Sequence, residues 1–270
     1  MDNKALLDWQ LAAGVDECVD DTPTNWFEKS SAVINSDAGQ PLPQENATTS
    51  QTTVVAPPAI HHSPSEGGNV ARALADGCQT IEELEAAVRA FEGCALKKTA
   101  SKTVFSDGNP EARVMIIGEA PGAQEDRQGI PFCGPSGALL DNMLAAIGLD
   151  RTKVYISNTV FWRPPGNRQP STEETSICLP FVEKHIALVN PALLILSGGT
   201  ASTTLLNKDI SISRLRGKFY DYENAYMQNP VSAAVTYHPS YLLRSPGQKR
   251  LAWADLLSFQ KLLKEKNISI

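Results

Sequence analysis

The stretch ARVMIIGEAPGAQEDRQGIPFCGPSG (residues 112–137) decides the fold. It begins with a short, unbroken apolar run, the pattern of a strand buried on both faces. The run breaks at Gly118-Glu119 into a loop rich in glycine and proline. Three more runs of this kind follow: KVYISNTVF (153–161), ALLILSGG (192–199) and SAAVTYHPS (232–240). Between and after them, SGALLDNMLAAIGL (136–149), STEETSICLPFVEKHIALV (171–189), TASTTLLN (200–207) and KRLAWADLLSFQKLLKEK (249–266) have helical spacing. Ser171 and Glu174 form a capping box, and Pro180 is expected to kink or divide that helix. Strands alternating with helices predict right-handed βαβ units and a mostly parallel sheet covered on both faces.

The chain has 270 residues, enough for one large domain or a domain with an appendage. No apolar run reaches the roughly 18 residues of a membrane span. Without a signal-like N-terminus, the expected location is the cytoplasm. Five cysteines, an odd number without a CxxC pair, argue against a disulfide framework. The net charge of −6 conceals an asymmetry, because residues 1–90 carry −10 and residues 91–270 carry +4. Such a division suits a polyanion-binding part joined to an acidic segment.

The domain expectations follow from composition. Residues 1–20 hold a short amphipathic helix (3–15) with Leu6, Trp9 and Ala13 on one face, which either docks a protein partner or folds back on the domain. Residues 21–70 read as a low-complexity linker, too poor in large apolar side chains to bury a core. Residues 71–93 lead into the domain, with a helix over 80–93 opened by a Thr80/Glu83 capping box. The domain itself spans 94–266.

In a parallel sheet, ligands bind beyond the carboxyl ends of the strands. Three loops meet there: GEAPGAQED, NTVFWRPPGNR (158–168) and YHPSYLLR (237–244). The first has neither nucleotide-binding fingerprint, and its Glu119, Glu125 and Asp126 would repel phosphate. A carboxylate at a strand end suits a water or the polar edge of a substrate. Phe132 either stacks on a planar ligand or plugs the core. His185 reads as a structural residue within its helix, whereas His238 follows a strand and can donate to a developing anion. Tyr241, Leu242, Leu243 and Arg244 form either an apolar wedge beside a cation or a helix start that buries its leucines.

In this order and spacing, GEAPGAQEDRQGIPFCGPSG, SNTVFWRPPGNRQP and TYHPSYLLR closely resemble the family 4 uracil-DNA glycosylases, from about Cys94 to about Gln260. The resemblance implies a three-layer α/β/α fold with a short parallel sheet. It implies hydrolysis of the N-glycosidic bond of deoxyuridine in single- or double-stranded DNA, the first step of base excision repair, by a monomer. It gives Glu119 or Glu125 the attacking water and the other the exclusion of thymine's methyl, with Glu119 favoured for the water. Phe132 would stack on the flipped base, Asn158 would bond the uracil edge, and His238 would stabilise the leaving anion. Asn167 and Arg168 would support the pocket and meet DNA, joined on the DNA side by Arg163 and the Tyr241–Arg244 wedge. RLRGKFY (214–220) reads as a single-strand contact or a solvated loop, with Arg216 in the basic stripe. The alternative to an enzyme is a module that recognises or covalently captures uracil or abasic DNA.

The resemblance also implies a [4Fe–4S] cluster held by four cysteines. Cys94 and Cys178 match the second and fourth ligand positions, but Phe91 and Trp162 stand at the first and third. Two thiolates cannot supply four ligands. The expectation is that the two aromatics fill the cluster's volume and no cofactor is required. The alternative is recruitment of Cys78 or Cys133.

Overall fold

The computed structural model describes residues 66–268. The helix expected over residues 3–15 lies outside the described residues, as does most of the 21–70 segment.

The sheet is built on β2 (Val114–Gly118), β3 (Val154–Asn158), β4 (Leu193–Ser197) and β6 (Val231–Thr236), all parallel. Two antiparallel edge strands, β1 (Asp107–Gly108) and β5 (Phe219–Tyr222), complete the order β1-β3-β2-β4-β6-β5. All five residues of β2, β3 and β4 are buried. Alternation along each strand divides them between two cores. Met115, Ile117, Leu194 and Leu196 face one core, with side chains from helices α1 (Glu66–Gly77), α2 (Ile81–Ala90), α5 (Thr172–Val189) and α6 (Gly199–Leu206). Val114, Ile116, Leu193 and Ile195 face the other, with α4 (Pro135–Ala145) and α9 (Lys249–Glu265). The three-layer α/β/α architecture expected from the sequence is the one observed. Short helices α3 (Ala123–Gln128), α7 (Ile212–Leu215) and α8 (Pro239–Arg244) lie in the connections. No helix among the described residues is long and apolar enough to cross a membrane.

Both expected capping boxes are present. Thr80 Oγ1 accepts from Glu83 N at 3.2 Å, and Ser171 Oγ accepts from Glu174 N at 3.1 Å. Each glutamate reaches back to its cap's amide.

Four expectations need correction. The segment leading into the domain is two helices, and the first begins at Glu66, inside the stretch read as linker. Its buried face is made of Gly68, Ala71 and Ala75, small residues that let it lie close to α5. Arg72 pairs with Glu183 on α5 at 3.1 Å. Pro180 does not divide α5, which runs unbroken from Thr172 to Val189. Burial of Cys178, Phe181, Val182 and Ile186 offsets a proline cost of about 3 kcal/mol. RLRGKFY is not simply a solvated loop: it ends α7 at Leu215, turns over 216–218 and opens β5 at Phe219. Arg216 forms a buried ion pair with Asp255, its Nε 3.0 Å from Oδ2, so it does not belong to an exposed basic stripe.

His185 is fully buried on α5, stacked on Phe105 at 4.4 Å, with Nε2 3.0 Å from the Tyr155 hydroxyl. Burial pushes its pKa down from 6.5 to about 3. Below pH 6.5 the unfolded chain takes up a proton that the folded chain refuses, so this residue's contribution to stability falls with pH. The expected slope is about 1.4 kcal/mol per pH unit between those two values. Urea unfolding of the wild type and His185→Gln between about pH 6 and about pH 5 checks it. The variant should lose that part of the slope.

The residues at the cluster positions of the resembled family are core. Phe91, Cys94, Trp162, Cys178 and Phe181 belong to one hydrophobic cluster, each at most 3% exposed. The Phe91 ring centroid lies 6.4 Å from that of Trp162 and 5.2 Å from that of Phe181. Trp162 Nε1 donates to Thr103 Oγ1 at 3.0 Å. The neighbouring Cys178 thiol lowers the pKa of Cys94, while Cys94 and burial raise that of Cys178.

Candidate active site

The last paired rungs of the sheet set its carboxyl ends level: Gly118 opposite Asn158, Ile117 opposite Leu196, Ser197 opposite Thr236. Beyond them lies a cavity of about 460 Å³. It gathers residues from all three loops, among them Glu119, Glu125, Phe132, Asn158, Asn167 and His238. Arg168, Tyr241 and Arg244 also line it; Arg163, Leu242 and Leu243 do not.

Glu119 directly follows β2 and is held from one side. Its Oε2 accepts from Thr200 Oγ1 at 2.5 Å, and Gln169 Nε2 donates to that same hydroxyl at 2.7 Å. None of the described residues bonds the other oxygen. Glu125 stands differently. It is buried in the first turn of α3, with Oε2 accepting from Gly122 N at 3.1 Å and Oε1 from Gly134 N at 2.8 Å. Both of its oxygens are therefore committed to fixing the loop.

Asn158 ends β3, is 2% exposed, and leaves Oδ1 buried with no partner among the described residues. An orphaned acceptor of this kind costs on the order of 1–3 kcal/mol unless a ligand satisfies it. Gly118 makes room for it. A Cβ there would lie 2.4 Å from Asn158 Oδ1 and 2.5 Å from Phe132 Cζ. Phe132 has φ +52 and stacks on His238 with 5.3 Å between centroids.

His238 is the N-cap of α8. Its Nδ1 accepts from Ser240 N at 3.1 Å and lies 2.8 Å from Ser240 Oγ. Because a backbone N–H can only donate, the neutral ring carries its proton on Nε2. Burial first, and the Arg244 cation second, push its pKa down to about 4. The ring is thus a neutral N–H donor at physiological pH.

The expected DNA-side residues divide. Arg168 is closed as a fork on Glu174, at 2.8 and 2.6 Å. Arg163 Nε donates to Asn167 Oδ1 at 2.6 Å, and its Nη1 lies 4.0 Å from buried Asp126. Leu242 is buried with Tyr237 and Ala252, so it is no wedge; only Leu243 of that pair is exposed. Arg244 is exposed beside it. Thr200, Gln169, Ser240 and Gly118 escaped sequence reasoning, since nothing in an isolated threonine or glycine signals which carboxylate or ring it will meet.

A family model described as the uracil DNA glycosylase superfamily matches residues 105–257. The chain is 36% identical to a type-4 uracil-DNA glycosylase of Saccharolobus solfataricus, over 68% of this chain and 86% of that relative. It is 33% identical to the Thermotoga maritima enzyme of the same description, over 70% and 97%. For the Sulfurisphaera tokodaii enzyme the figures are 32%, 68% and 84%. Taken with three loops that converge on one cavity at the carboxyl edge of a parallel sheet, these matches mean that the chain belongs to the uracil-DNA glycosylase superfamily, among its type-4 members.

Proposed function

We propose that this protein is a hydrolase of N-glycosyl bonds that removes uracil from DNA and leaves an abasic site. The observation that carries this reading is the orphaned Asn158 Oδ1, which lines the same cavity as the Phe132 ring and the His238 donor. Uracil presents an N–H at N3 and an acceptor at O4. The Asn158 amide satisfies both, with Oδ1 accepting and Nδ2 donating. Cytosine presents the opposite polarity and would leave the amide unpaired, a strong discriminator in a buried site. A base in this cavity must first leave the helical stack.

In the chemical step, a water oxygen bonds to C1′ while the C1′–N1 bond breaks. Its electron pair leaves with uracil, and the charge spreads to O2. His238 Nε2–H donates to that oxygen, a role for which a neutral ring suffices. Glu119, fixed by Thr200, orients the water with its unbonded oxygen and takes its proton. Glu125, with each oxygen already accepting a loop amide, acts as a wall, holding the loop where thymine's methyl group would fall. Leu243 and Arg244 are the wedge and the phosphate contact. The substrate is DNA, single- or double-stranded, acted on by a monomer.

The residues at the cluster positions do not fit a four-cysteine iron–sulfur centre. Two thiols and two packed aromatic rings occupy those places. Among the described residues there is no group of three or more His, Cys, Asp or Glu able to hold a metal ion.

Excision from an oligonucleotide with one uracil tests the reading, with Asn158→Ala and Glu119→Gln beside the wild type. The wild type should give alkali-labile product, and each variant should lose about 10²–10³ in rate, the usual cost of a lost transition-state contact. Uracil-dependent binding by the wild type without product would replace the enzyme with a recognition module.

A further inference from the structure

We infer that Arg151, which does not line the cavity, is the positioning residue that holds Phe132 over it. Phe132 occupies the left-handed backbone region, which a bulky residue keeps only when its surroundings impose it. Arg151 is the group that imposes it. Its guanidinium donates to the carbonyls of Phe132 and, at 3.3 Å, of Pro131. The guanidinium is fixed in turn by Asp107 on β1 and by Asp141 on α4, the latter at 2.8 Å. One side chain therefore ties an edge strand, a helix and two consecutive carbonyls of the loop.

A second element packs closely on the same carbonyl. A Cβ at Gly137 would fall 1.5 Å from Phe132 O, so the first turn of α4 abuts the peptide that Arg151 grips. With its carbonyl bonded by Arg151 and closely packed by α4, the Phe132 ring lies against Gly118 and His238. A lysine cannot reproduce this arrangement, because a point charge lacks the planar fork that reaches carboxylates and carbonyls together.

The inference rests on the reading of Phe132 as the stacking ring, and a double-mutant cycle separates the two. Arg151→Ala, Phe132→Ala and the double variant are compared with the wild type in uracil excision. Base–aromatic stacking sets an expected loss of about tenfold in kcat/KM for Arg151→Ala. If Arg151 acts through Phe132, the double variant is no worse than Phe132→Ala alone; losses that multiply overturn the inference. The second readout needs no turnover. The Phe132 ring current shifts the His238 ring protons in NMR spectra, and Arg151→Ala should move those signals in the same direction as Phe132→Ala. Unmoved signals overturn the inference whether or not uracil is released. Should Arg151→Ala fail to fold, Arg151→Lys replaces it in both measurements, with the same outcomes deciding. A wild type that releases no uracil refutes the activity instead and leaves the NMR arm to judge Arg151.

Discussion

Replacing His238 by alanine should lower kcat for uracil excision by about 10²–10³, the usual cost of removing one donor aimed at developing charge. The expected pH behaviour is more specific. Because burial and Arg244 hold the ring's pKa at about 4, it does not titrate near 6.5. Wild-type kcat should therefore show no step assignable to His238 between about pH 5.5 and about pH 7.5, the window where an ordinary histidine changes charge. If catalysis instead needed an imidazolium, kcat would rise as pH fell through that window. A rise present in the wild type and absent from His238→Ala would refute the neutral-donor assignment.

The second large effect is on stability. Trp162→Ala should destabilise the domain by about 3–5 kcal/mol, as truncations of large core aromatics do. Trp162 is 1% exposed, touches Phe91 and Phe161, and closes a hydrogen bond to Thr103. It begins the Trp162-Arg163-Pro164-Pro165 segment that carries Asn167 to the cavity, so excision should fall together with stability. Urea unfolding and iron content of anaerobically purified protein provide the test. An unchanged unfolding midpoint would show that the ring is not packed. About four irons per wild-type chain would show that a cluster occupies its place.

Much of this architecture is legible in the sequence, for a physical reason. β2, β3, β4 and β6 are covered on both faces or nearly so, and their apolar runs announce it. Edge strand β5 is mostly solvent-facing and mixes aromatics with Asp221, so no run marks it. Helix α1 buries glycine and alanine, which read as linker when only large side chains are counted. Within the site, residues bound to strand ends were visible because the sheet places them. Arg163, Arg168 and Arg216 look alike in sequence. They differ in which carboxylate the fold brings to them: Asp126, Glu174 and Asp255 respectively. For Leu242 and Leu243 the helical phase decides, and a six-residue helix beginning at Pro239 could not be phased in advance.

The level row of strand ends has a consequence for how activity appears during folding. Gly118, Asn158, Ser197 and Thr236 become neighbours only through parallel pairings that span most of the domain. Parallel strands cannot be closed by local hairpins, so each rung waits for a crossover to be completed, and non-local pairing of this kind is slow. On a chain emerging from the ribosome, the carboxylate and the amide arrive early and the imidazole last. Under the proposed roles, the donor to the departing base is therefore the last part of the site to be synthesised, after Glu119 and Asn158.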